Sequence, residues 1–155
     1  MSDETRQTDS ATAEPIVQIR DLRKSYRLGK RAVEVLKGVS FDVGRGELVA
    51  IKGASGTGKS TLLHLMGGLD RPDSGGIECA GENLARMSGG RLNRYRNLTI
   101  GLVFQAYHLL PELDALENVC LPARLARRAY SEVRDEAKSL LERVGLGHRV
   151  DHRPY

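Results

Sequence analysis

The run Gly53-Ala54-Ser55-Gly56-Thr57-Gly58-Lys59-Ser60 matches the phosphate-binding pattern G-x-x-x-x-G-K-S/T at every fixed position. It constrains the fold more than any other stretch, because it works only as a tight loop between a strand and a helix. Both flanks fit. Glu47-Leu48-Val49-Ala50-Ile51-Lys52 reads as a short buried strand, and Thr61-Leu62-Leu63-His64-Leu65-Met66 carries helix formers without a breaker until Gly67-Gly68. The glycines let the backbone turn its N–H groups inward, so that successive amides and the positive end of the helix face a phosphate group. Lys59 is placed to reach terminal phosphates, and the Ser60 hydroxyl to ligate Mg²⁺.

With 155 residues, the chain has length for one domain with a real core, which is short for a P-loop ATPase with all its parts. A net charge of +4, from 24 basic against 20 acidic residues, points weakly to anionic partners, and a phosphate-binding loop accounts for it. Nucleic acid is not expected as a direct partner, because the basic residues lack interleaved aromatics and the chain has no Trp. Cys79 and Cys120 belong to no metal-type cluster and read as small buried hydrophobes in a reducing compartment. No run of 18 apolar residues and no signal peptide is apparent, so a cytosolic location is expected.

Residues 1–14 are almost wholly polar and are expected to form a flexible tail. Ile16 to Ile19, Val33 to Leu36 and the alternating Val39-Ser40-Phe41-Asp42-Val43 read as antiparallel strands, punctuated by Gly38 and the turn Gly44-Arg45-Gly46. Asp70 to Gly76 is dense in turn residues, and Ile77 to Ala80 predicts another strand, followed by a turn at Gly81-Glu82-Asn83. Ser88 is a candidate cap for a helix over Gly89 to Asn97, and Thr99 to Phe104 reads as a second buried strand ending at Gln105. The pattern turns helical from Ala115, with an interruption at Pro122. A last helix from about Ser131 to Val144 aligns Val133, Ala137, Leu140, Leu141 and Val144 in one apolar stripe, with Gly145 as its C-cap.

Taken together, Ser60 to Leu65, Gly67-Gly68-Leu69-Asp70, Pro72, Ser74-Gly75, Ile100 to Gln105, His108 to Pro111 and Ala115 to Val119 resemble the nucleotide-binding subunit of ABC transporters. The branch resembled is the one that powers lipoprotein release and macrolide-type export, and the resemblance covers roughly Ile16 to Pro154. It implies an α/β P-loop NTPase fold of the ABC type: an antiparallel β subdomain over residues 15–46, a P-loop core over 47–105 with a partial parallel sheet, and the start of a helical subdomain over 106–155. It implies ATP and Mg²⁺ as cofactors. Tyr26 falls where the family stacks an aromatic ring on adenine, with an ordinary strand tyrosine as the alternative. Gly53, Ala54, Ser55, Gly56, Thr57, Gly58, Lys59, Ser60 and Thr61 would hold the phosphates, while Ser60 and Gln105 would serve the metal. The stretch from Ala106 to Val119 would meet a membrane permease, a second nucleotide-binding subunit would complete a dimer, and the chain would lie against the inner face of the membrane.

Met87-Ser88-Gly89-Gly90 imitates the family's L-S-G-G signature but precedes the Q-loop, and it reads as a turn. The lead-in to the signature is expected at Val144 to Pro154, just before Tyr155, so the chain reads as truncated before the signature, with no catalytic residue of its own. Two readings are open, an ATPase subunit of a transporter and a nucleotide-binding module without turnover, while a third, the P-loop of a helicase or kinase, is opposed by Phe104-Gln105 and His108 to Val119. The isolated chain is expected to be poorly stable and to hydrolyse ATP no faster than background.

Overall fold

The computed structural model describes residues 14–155, so the tail expected over 1–14 lies outside the described residues except for Glu14. The chain divides into two compact units, one ending at Leu92 and the other running from Asn93 to Tyr155.

The first unit is built on a four-stranded antiparallel sheet of order β2-β1-β3-β4. β1 (Val17–Leu28) and β2 (Arg31–Val43) form one long hairpin, closed by a two-residue loop in which Gly29 takes a φ of 62°. The short strands expected here are thus parts of two continuous ones, and Gly38, expected to punctuate them, lies inside β2. Its φ of 93° suits it to a bulged ladder whose register shifts between Ile19 and Leu22, at Leu22/Arg23 and at Lys24/Ser25. β3 (Ser74–Cys79) pairs with the other edge of β1 and β4 (Glu82–Asn83) with β3, so the turn expected over 74–76 is already strand. The helix after the glycine loop, α1 (Lys59–Met66), buries Leu62 and Leu65. Buried in the same unit are Ile19 and Leu22 of β1, Leu36 of β2, and Ile77 and Cys79 of β3.

α2 (Gly89–Leu98) begins where a turn imitating the signature was expected, and the Ser88 carbonyl accepts the Leu92 N–H at 2.9 Å. Two expectations fail beside it. The runs 47–52 and 99–104 join no ladder among the described residues, and Leu48 and Val103 are fully exposed at 98% and 102%. Thr99 and Ile100 are instead drawn into the end of α2, both donating their N–H to the Tyr95 carbonyl. An apolar β-branched run becomes a strand only where a neighbour completes its backbone hydrogen bonds. No described residue does so here.

In the second unit, α3 (Ala115–Leu125) packs against α4 (Tyr130–Arg143) around Leu116, Cys120, Val133, Ala137 and Leu141. Pro122 sits inside α3 rather than breaking it, removing only the donor that the Asn118 carbonyl would otherwise take. The stripe on α4 is narrower than expected. Val133, Ala137 and Leu141 recur at strict i, i+4 spacing and are buried, whereas Leu140 and Val144 are exposed. Gly145 follows the helix at φ 77°, and its N–H and that of Leu146 return to the Glu142 and Leu141 carbonyls.

α3 opens on a full capping box: Asp114 Oδ1 accepts from the Glu117 N–H at 2.8 Å, and Glu117 Oε2 accepts from the Asp114 N–H at 3.0 Å. Asp114→Ala should therefore destabilise the chain by about 1 kcal/mol. Urea denaturation measures it, and an unchanged midpoint would contradict a stabilising cap.

Candidate functional site: a glycine loop, its helix and a strand tyrosine

The loop before α1 owes its shape to two glycines. Gly56 and Gly58 hold φ of 80° and 91°, a region that other residues enter only under strain. They differ in surroundings. A Cβ on Gly56 would meet nothing, whereas one on Gly58 would fall 2.9 Å from both Leu36 Cδ2 and Val35 Cγ1 and 3.1 Å from the Val35 carbonyl. Val35 occupies the bulge in β2, opposite the step between Lys24 and Ser25. The hairpin thus comes so close behind the loop that position 58 has room only for a glycine.

Lys59, the first residue of α1, folds its side chain back over the loop. Its ammonium donates to the carbonyls of Gly53 at 2.9 Å and Ala54 at 2.6 Å, with Thr57 Oγ1 at 3.5 Å, and Thr57 Oγ1 in turn donates to the Ala54 carbonyl at 2.9 Å. Gly58 offers α1 no side-chain cap, and the helix has no acidic residue in its first turn. Its leading N–H groups and positive dipole end are therefore left to an anion, beside a fixed cation. An arrangement of this kind suits a phosphate group. Among the described residues no three His, Cys, Asp or Glu gather into a metal-binding group. A hard divalent ion here would rest on the Ser60 hydroxyl and the ligand's own phosphate oxygens, a donor set that suits Mg²⁺ better than a metal needing an all-protein cage.

Tyr26 stands near the end of β1, opposite Val33, and is 40% exposed. Its hydroxyl donates to Asp70 Oδ2 at 2.8 Å, which ties the ring to the segment that follows α1. Burial pushes the phenol pKa up, and donation to a carboxylate pushes it further. For Asp70, burial alone would raise the carboxyl. Hydrogen bonds from Lys24, the Arg71 N–H and Tyr26 together outweigh it and hold Asp70 below its ordinary range. Lys24, among the buried residues despite its charge, donates to Asp70 Oδ1 at 3.0 Å and to the Arg71 carbonyl at 2.6 Å.

Gln105 lies in the second unit, exposed, directly after the unpaired run. Beside it the Phe104 and His108 rings meet edge to face at 4.8 Å. Asn118 organises the approach to α3. Its side chain accepts the Leu110 N–H and donates to the carbonyls of Leu110, Leu113 and Asp114, clasping the loop that leads into the helix.

Lys24 was not named from the sequence, and Asp70 and Asn118 entered only as members of the runs that carry the family resemblance, with no role of their own. Lys24 stands two positions from Tyr26 on a strand, hence on the same face, and Asn118 is a polar residue in mid-helix that a satisfied network would explain. The bond from Tyr26 to Asp70 had no local signal, since 44 residues separate the two.

The loop, its helix and the sheet behind them define a P-loop chain of the α/β class. The chain belongs to the ABC transporter family, which it matches over residues 36–155. The lipoprotein-releasing system ATP-binding protein LolD of Pseudomonas fluorescens is 50% identical to it over 139 residues, which make up 90% of this chain and 61% of that protein. The protein of the same name from Myxococcus xanthus is 49% identical over 139 residues, 90% of this chain and 62% of its own length. Among solved structures, a dimeric bacterial ABC transporter cassette, MJ0796, superposes with a TM-score of 0.82 at 34% identity, covering 89% of this chain and 61% of that one. A dimeric post-hydrolysis state of the same cassette, bound to ADP and phosphate, superposes equally well, with a TM-score of 0.82. The chain thus spans about three fifths of the length of these relatives.

Proposed function

We propose that the chain is the ATP-binding part of an ABC transporter, coupling MgATP binding and hydrolysis to lipoprotein release or export through a membrane permease. The observation that carries the nucleotide half is the cradle itself: Lys59 anchored over the loop by Gly53 and Ala54, in front of an uncapped helix terminus. Gly53 to Thr61 would hold the phosphates and Ser60 would ligate Mg²⁺, with Gln105 the residue that the family resemblance assigns to the metal. MgATP supplies the phosphoryl group whose binding and transfer to water drive transport. This chain's part is to position it and neutralise its charge.

The cargo half is supported by what the relatives are called, since the Pseudomonas and Myxococcus proteins bear the name of a lipoprotein-releasing system. A second nucleotide-binding subunit is supported by the dimeric form of the similar cassette. The permease would dock on Ala106 to Val119, where Asn118 clasps the loop and Tyr107 presents a ring that is 90% exposed. Among the described residues no helix is long and apolar enough to cross a membrane. We place the chain peripherally, on the inner face of the membrane.

The test of the transport reading is release of a lipoprotein from vesicles containing the permease, driven by MgATP and lost on Ser60→Ala. Release that persists without nucleotide would overturn it. The base platform is tested separately. Stacking offers a π-face to any purine and no hydrogen-bonding edge, so Tyr26→Ala should weaken ATP and GTP alike, about fivefold or more. Loss confined to ATP, or unchanged affinity for both, would remove Tyr26 from the stacking role.

A further inference from the structure

The turn after α1 is sewn onto β1. The Asp73 N–H donates to the Arg23 carbonyl at 2.9 Å, Asp73 Oδ2 accepts the Ser25 N–H at 2.7 Å, and Lys24 reaches the Arg71 carbonyl. At the centre of this seam Asp70 spends both carboxylate oxygens. Oδ1 accepts from Lys24 Nζ at 3.0 Å and from the Arg71 N–H at 2.7 Å, and Oδ2 accepts from the Tyr26 hydroxyl at 2.8 Å.

The consequence falls on the Tyr26 ring. A half-exposed tyrosine on a strand has two free torsions, and holding its hydroxyl at the far end fixes both. The Lys24 ammonium stands over the ring 5.1 Å from its centroid, so one face is taken up by a cation. What remains is a single presented face in a set orientation. Asp70 also follows directly on the segment that ends α1, the helix whose first residue is Lys59. Base platform and phosphate cradle are thus tied to the two ends of one rigid element.

We propose that Asp70, together with Lys24, is a positioning residue for the nucleotide base, locking the Tyr26 ring ready for stacking without touching the ligand. The proposal rests on the reading of Tyr26 as the stacking residue. A ring ordered in advance spares the ordering cost at binding, so loss of the lock should lower affinity for ligands that carry a base and leave the phosphate contribution alone.

The experiment compares affinities for MgATP and for magnesium tripolyphosphate, by competition against a fluorescent nucleotide. Tyr26→Phe keeps the ring and the Lys24–Asp70 pair while removing the hydroxyl, and is safe for folding. Asp70→Ala in a Lys24→Met background removes carboxylate and cation together, so that no buried charge is left unpaired. In each, the ratio of ATP to tripolyphosphate affinity should fall about threefold to tenfold. Adding Tyr26→Phe to the second variant should cost nothing more, because the same bond is removed twice. A wild-type ratio in Tyr26→Phe, with ATP binding weakened by Tyr26→Ala, would overturn the positioning role and leave stacking intact. Unchanged ATP binding in Tyr26→Ala would overturn both. An equal loss toward both ligands would reduce Asp70 to a support of the loop, against the proposal. Should the Lys24/Asp70 variant fail to fold, Tyr26→Phe alone decides.

Discussion

Lys59→Ala is expected to weaken MgATP binding at least about tenfold, since it deletes a charge-assisted contact worth roughly 1.5 to 3 kcal/mol from a site that gathers several negative charges. Here the effect should sit at the upper end. The same ammonium bridges the Gly53 and Ala54 carbonyls, so the substitution removes both the counter-charge and a clamp on the loop's shape. Fluorescence titration at fixed Mg²⁺ measures it, and equal affinity in the two proteins would sink the phosphate-cradle assignment.

Gly75→Ala should destabilise the first unit by about 3 kcal/mol or more, adding a left-handed backbone penalty to a collision that side chains cannot relieve. Gly75 lies in β3 at φ 83°, and a Cβ there would press on the Asp21 carbonyl oxygen and stand 2.6 Å from that of Arg20. Both atoms are backbone. They are held in place by a β1 bulge in which Asp21 itself takes a φ of 43° and donates its N–H to Ser40 Oγ at 2.8 Å. Urea denaturation followed by circular dichroism reads the loss. Wild-type stability would mean that β1 and β3 can separate at this step without cost, which their ladder on both sides of the bulge argues against.

Legible in the candidate site was the part confined to consecutive residues. Eight residues from Gly53 to Ser60 specify a tight loop before a helix, and the left-handed glycines and the opening of α1 at Lys59 stand where that spacing puts them. The lock on Tyr26 was not legible, because Asp70 reaches it only after β1 and the turn following α1 are brought side by side.

The same division runs through the fold. By itself the sequence determined α4, where Val133, Ala137 and Leu141 repeat at the helical period, the left-handed close at Gly145, and the strand character of residues 17–19, 33–36 and 39–43. A helix satisfies its backbone within four residues, so its signal is local. Tertiary structure alone decided that residues 17–43 form one bulged hairpin with Gly38 inside it, that Gly58 needs its missing Cβ because Val35 and Leu36 lie against it, and that 47–52 and 99–104 stay outside any ladder. Strands complete their hydrogen bonds with chain that is distant in sequence, and an apolar run cannot state whether that chain stands beside it.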